Sequence, residues 1–150
     1  MTEWAPPQAG WLKLNFDGSS WGNPGLAGFG GLLRTSTGQV MKVYSGPAGS
    51  CTSNEAESRA LLEGVRLLKD ESRTPLVIEG DSALTIAWAK GTCPPPWHLK
   101  LLFDEIWDIT LEWQVSWSKV PRSANSLADN LAKQGVRRAF TITGTSLPLP

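Results

Sequence analysis

The chain has 150 residues, with 14 Lys or Arg against 14 Asp or Glu, and a formal net charge of zero. That length suits one domain with one core, and the balanced charge excludes a protein held on nucleic acid by bulk positive charge alone, which takes clustered Lys and Arg. No apolar run approaches the roughly 20 residues that span a bilayer and no basic-then-apolar leader opens the chain, so no membrane partner is expected.

Residues 1–10 (MTEWAPPQAG) are rich in Pro, Gly and Ala and read as a linker or disordered end; the folded domain is expected over 11–138, with a tail over 139–150. Trp11, Leu12, Leu14 and Phe16 form an extended apolar run that delivers Asp17 to a strand end, and a Gly/Ser/Asn/Pro turn follows at once. Leu26 to Arg34 reads as a second strand whose glycines allow close backbone approach. Thr35 to Gly38 is a hairpin turn, and Gln39 to Tyr44 alternates as a third strand. The period then changes. Thr52-Ser53-Asn54-Glu55 is a capping box, and Ala60, Leu61, Gly64, Leu67 and Leu68 recur at helical spacing as far as Asp70. Leu76 to Asp81 is a short buried strand that again ends in a carboxylate, and Ser82 to Lys90 a short helix stopped by Gly91. Beyond the stiff Thr92–Pro96 connector, Trp97 to Leu111 reads as a helix, Trp113 to Trp117 as a fifth strand and Ala124 to Arg138 as a last helix. This order predicts an α/β protein: a five-stranded mixed sheet, strands one to three antiparallel, with helices on both faces.

Open α/β sheets bind ligands beyond the carboxyl ends of their strands, where Asp17 and Asp81 fall. Two adjacent carboxylates repel unless a cation neutralises them. Glu57 shares a helix face with Ala60, Leu61 and Gly64, the side turned to the sheet, where an unpaired carboxylate is costly. Asp129 lies in the first turns of the last helix. Each has an ordinary reading: Asp17 as a turn residue, Asp81 as a helix cap, Glu57 as solvated on a differently phased helix, Asp129 as a partner of the helix dipole. Glu55 reads as the capping partner of Thr52. Taken jointly, the four point to a divalent-metal site; oxygen-only ligands favour Mg²⁺ or Mn²⁺ over zinc. Cys51 and Cys93 make no metal-ligand spacing and no disulfide framework, and as reduced thiols suit an intracellular protein, nucleus or cytoplasm unresolved.

Asp17-Gly18-Ser19-Ser20-Trp21-Gly22-Asn23-Pro24-Gly25 followed by Gly28-Phe29-Gly30 resembles the opening signature of type 1 ribonucleases H. Thr52-Ser53-Asn54-Glu55-Ala56-Glu57 is similar to that family's T-N-N-x-x-E stretch, Gly80-Asp81-Ser82 to its strand-end D-S, and Asn125-Ser126-Leu127-Ala128-Asp129-Asn130-Leu131-Ala132 to its N-x-x-A-D-x-L-A. The wording around Asp129 looks closest to the ribonuclease H-like domains of plant retroelements, associated with reverse transcriptase. The resemblance covers about residues 11–135. It implies a ribonuclease H-like fold and an endonuclease hydrolysing the RNA strand of RNA/DNA hybrids with two Mg²⁺ ions, Mn²⁺ substituting. Asp17, Glu57, Asp81 and Asp129 would be the ligands, with the Gly18 backbone a further one. Gly18 and Asn54 would touch the RNA strand, Asn23 and Thr52 a DNA phosphate, and Ser19, Ser82, Lys119 and Asn125 other parts of the substrate. A monomer is expected, with fusion to reverse transcriptase or other domains in a longer protein.

Two departures stand out. The family often carries a mobile His ten residues before its last Asp, where this chain has Lys119; the lone histidine, His98, reads as a surface residue. The basic protrusion of many members is replaced by Gly91-Thr92-Cys93-Pro94-Pro95-Pro96-Trp97, which has no basic cluster. Weak substrate affinity is the expectation. The alternatives are a weak or inactive module that binds hybrid or structured RNA, and a nuclease acting on DNA.

Overall fold

The computed structural model describes residues 3–71 and 73–148; Met1 and Thr2 of the expected linker and Leu149 and Pro150 of the expected tail lie outside the described residues. β1 (Leu12–Ser20), β2 (Gly25–Arg34) and β3 (Val40–Cys51) form an antiparallel meander. At the second connection Thr35 Oγ1 accepts from the Thr37 and Gln39 amides, and Gly38 takes φ +85°, a left-handed conformation that glycine alone adopts cheaply. β3 runs well past its expected end at Tyr44. A register shift opposite Ala27 and Gly28 absorbs one extra residue, so Gly46, Pro47 and Gly49 stay within the ladder although each reads as a breaker.

α1 (Ser53–Leu67) then crosses over to β4 (Leu76–Gly80), which lies parallel to β1. α2 (Ala83–Lys90) and α3 (Lys100–Thr110) lead to β5 (Val115–Lys119), parallel to β4. α4 (Ser126–Gly135) and β6 (Ile142–Gly144) complete the chain. The sheet has six strands in the order β5-β4-β1-β2-β3-β6. The expected count of five is therefore corrected: Ile142, Thr143 and Gly144, placed in a tail, pair antiparallel with Ser45, Tyr44 and Val43. Three residues carry too little alternation to announce a strand; the open edge of β3 supplies the template.

The expectation of helices on both faces holds, because successive strand residues point to opposite sides. Leu14, Phe16, Phe29 and Leu33 pack under α1 and α3 with Leu61, Val65, Phe103 and Ile106. Leu32 and Val43 face Ala128 and Leu131 of α4. α4 sits close enough that a Cβ on Gly28 or Gly30 would come within 2.4 or 2.7 Å of its backbone. The N-terminal segment departs from the linker reading: the Trp4 ring lies over the Arg34 guanidinium at 3.9 Å, and Pro7 is buried. Trp97 opens a 3₁₀ turn (Trp97–Leu99) before α3 and is exposed.

Candidate active site

β1 and β4 are parallel neighbours with Asn15 opposite Glu79. Two residues further on, Asp17 and Asp81 leave the same end of the sheet side by side. Glu57 reaches them from α1. Thr52 caps that helix, its Oγ1 accepting from the Glu55 amide at 3.2 Å, as the capping box requires. Gly18 decides how near α1 can come: a Cβ there would lie 2.3 Å from Ala56 C and Glu57 N. The missing side chain thus puts Glu57 beside Asp17. One carboxylate oxygen from each of Asp17, Glu57 and Asp81 lies within 4.8 Å of the other two.

These groups are poorly solvated. Asp17 is 2% exposed, and Glu57 Oε2 is buried without a hydrogen-bond partner. Burial, then the charges of Asp81 and Glu57, push the Asp17 carboxyl up to about 9. Burial and then Asp81 push Glu57 up to about 8. Burial raises Asp81 also, against the opposing charge of Arg122. A cluster that resists ionisation in this way is one that a cation completes. Its donors are carboxylate oxygens only, and one of them is orphaned; both features fit a divalent metal ion.

Asp129 stands slightly apart. It opens α4, is 8% exposed, and falls outside the mutual reach of the other three. Lys133, one turn later, holds its Oδ2 at 2.8 Å, and Arg122 stands 3.6 Å from Oδ1. Burial alone would raise this carboxyl; the hydrogen bonds from Lys133 and Asp17 and the two cations bring it below the usual value.

The cleft before the carboxylates measures about 420 Å³ and is lined by Asp17, Gly18, Ser19, Ser20, Ser53, Glu57, Asp81 and Arg122. Of the expected substrate contacts, Gly18 and Ser19 line it and Asn54 is exposed on the first turn of α1. Asn23 ties its turn to that helix, its Oδ1 accepting from the Ser53 amide at 3.1 Å. Thr52 and Ser82 act as helix caps, Ser82 accepting from the Thr85 amide at 3.2 Å. Asn125 is a correction: it is 1% exposed, its Oδ1 accepting from Asn15 and its Nδ2 donating to the Phe16 carbonyl, so it presents no surface to a substrate. Lys119 ends β5 exposed and is not among the residues lining the cleft. The cation that does face it is Arg122, which sequence reasoning passed over. Pro121 starts a 3₁₀ turn (Arg122–Ala124) that folds Arg122 back over the carboxylates. The available signal was Arg122 just after a proline and seven residues before Asp129. His98 is exposed, with Glu55 Oε1 3.9 Å from its ring.

Carboxylates at the ends of β1 and β4 and on α1 and α4, set on a mixed sheet of this order, define a protein of the ribonuclease H-like class. The family model described as "Reverse transcriptase-like" matches residues 15–135. A ribonuclease H of Bordetella bronchiseptica is 32% identical over 142 residues, covering 85% of this chain and 90% of its own. The "Putative ribonuclease H protein At1g65750" of Arabidopsis thaliana is 34% identical over 133 residues, covering 88% of this chain. The chain spans only 22% of that relative's length. Among solved structures, LC11 ribonuclease H1, isolated from compost by a metagenomic approach, superposes in its complex with an RNA/DNA hybrid with a TM-score of 0.78 at 26% identity, covering 83% of this chain and 96% of its own. The chain belongs to the ribonuclease H family.

Proposed function

We propose that this domain hydrolyses the RNA strand of RNA/DNA hybrids with two Mg²⁺ ions, Mn²⁺ serving as a substitute. The observation that carries the reading is the trio Asp17, Glu57 and Asp81, oxygen-only and within mutual reach, with Asp17 buried and the other two partly so. With Asp129 beside them, these residues would hold the ions. Divalent metal there supplies charge neutralisation and an activated water for in-line displacement at phosphorus. The chain's own groups do the rest. Gly18, Ser19 and Ser53 line the cleft with N–H and hydroxyl donors suited to a ribose 2′-hydroxyl, by which RNA is told from DNA. Asn54 would reach the same strand. The Asn23 carboxamide, its oxygen used by Ser53, keeps its N–H₂ for a phosphate. Arg122 draws phosphate charge into the cleft and returns to Asp129 when it leaves.

The zero net charge supports a weak intrinsic grip. Further domains, reverse transcriptase among them, would supply affinity in a longer protein; the 22% coverage of the Arabidopsis relative supports that arrangement. The proposal includes a monomer in an intracellular setting, in keeping with free Cys51 and Cys93.

The test incubates the protein with labelled hybrid, double-stranded DNA and double-stranded RNA in Mg²⁺ and in Mn²⁺, beside Asp81→Asn. Cleavage of the hybrid's RNA strand alone, abolished in the variant, is expected. No hybrid cleavage in either metal refutes the proposal; cleavage of double-stranded DNA moves it to another substrate.

A further inference from the structure

We infer that Trp4 and Asn15 are positioning residues for Asp129, so that the N-terminal segment helps to set the metal site from beneath. The inference rests on the reading of Asp129 as a metal ligand.

Asn15 lies on β1, two residues before Asp17 and on the α4 side of the sheet, with no exposed surface. Its carboxamide has two donors and two acceptor positions, and all four are in use. Oδ1 accepts from Trp4 Nε1 at 3.0 Å and from Arg34 Nη2 at 3.1 Å. Nδ2 donates to Glu79 Oε2 at 2.8 Å and to Asn125 Oδ1 at 3.0 Å. Trp4 and Arg34 therefore fix which way the amide faces, since a flipped amide would set N–H₂ against two donors. Lys13 bridges the same layer, 3.1 Å from Glu79 Oε1, and donates to the Ala5 carbonyl at 2.5 Å. The Trp4–Ala5 segment is thus bound at two points to a buried polar layer.

Asn125 passes the constraint on. It occupies the residue before α4, where an Asn ordinarily caps the helix through its side chain. Here the side chain makes no cap bond. Its Nδ2 donates instead to the Phe16 carbonyl at 3.0 Å, next to Asp17, while its own carbonyl accepts from the Asp129 amide at 3.0 Å. The start of α4 is pinned to β1 through one residue. Asp17 and Asp129 are the side chains whose separation that pin controls.

The experiment compares the wild type with Trp4→Phe, which keeps a ring over Arg34 but removes the indole N–H, and with Asn15→Leu. Ile106→Val, in the core on the opposite face, serves as a stability control. Mn²⁺ binding is measured by calorimetry, and hydrogen exchange is followed at the Asp129 amide. Removing a supporting hydrogen bond behind a metal ligand typically weakens binding by about 10- to 100-fold. Asn15→Leu is expected in that range and Trp4→Phe, one bond further out, at about 3- to 10-fold, both with faster exchange at Asp129. Ile106→Val should change neither. Trp4→Phe retains the fold if Asn15→Leu does not. Variants matching the control in both measurements would overturn the inference while hybrid cleavage by the wild type stands. If the wild type cleaves no hybrid, the functional reading falls, and the exchange comparison still decides whether Trp4 holds α4.

Discussion

Without metal, this protein should lose stability as pH rises from about 5 to about 7, and Mg²⁺ should cancel the loss. Burial, then Asp81 and Glu57, hold the Asp17 carboxyl near 9, far above its ordinary 3.8. Burial and Asp81 hold Glu57 near 8 against 4.5. The folded state thus keeps protons that the unfolded chain has released across that window, and stability falls wherever the native state binds more protons. One retained proton costs about 1.4 kcal/mol per pH unit, or about 3 kcal/mol over two units. In a domain of this size each such proton lowers the melting temperature by about 6–12 °C. The carboxyls of Asp129 and Glu105 are depressed below their ordinary values and titrate under this window. A divalent ion needs its ligands deprotonated and binds only the folded state, so excess Mg²⁺ should flatten or reverse the slope. Calorimetric melts in chelator and in Mg²⁺, at several pH values, make the measurement. A metal-free melting temperature that stays level or rises between pH 5 and 7 would refute the reasoning. So would an Asp17→Asn variant with the wild-type slope.

Three further outcomes follow from the geometry. Asp81→Asn should lower hybrid cleavage by at least about a hundredfold, as charge stabilisation worth several kcal/mol is lost, yet raise the metal-free melting temperature at neutral pH because it removes a charge from beside Asp17 and Glu57; parallel activity and melting measurements check both signs. Gly18→Ala should cost about 1–3 kcal/mol, as overpacking does, because its Cβ meets the α1 backbone at 2.3 Å; denaturant titration reads the loss, and activity should fall with it as Glu57 is displaced. Arg122→Ala should slow turnover about tenfold or more, in line with the loss of a charge-assisted contact to phosphate, while Lys119→Ala stays within about twofold of wild type, since only Arg122 lines the cleft; steady-state kinetics at matched metal concentration separates the two.

The four carboxylates were legible in the sequence because each rests on a local rule: alternation carrying Asp17 and Asp81 to strand ends, a capping box phasing Glu57, a helical stripe placing Asp129. What escaped depends on partners remote in sequence. Nothing near Trp4 announces that its indole N–H meets Asn15, or that Arg34 lies under its ring. Asn125 has the side chain of a cap and the position of a cap, and only the approach of β1 diverts it. Lys119 has the spacing from Asp129 that marks a site residue, but spacing along the chain says nothing of direction; the 3₁₀ turn after Pro121 aims Arg122, not Lys119, into the cleft.

The short strand β6 has a consequence for handling the protein. It covers part of the outer edge of β3, a long strand whose other edge is taken by β2. Any version trimmed after Arg138 would bare the backbone of Val43 to Ser45 at that edge, and an uncovered strand is a template for pairing with another chain. Three residues at one rim thus act as an antiaggregation guard, and the choice of where to end an expressed domain decides whether it remains dispersed or adds strand to strand.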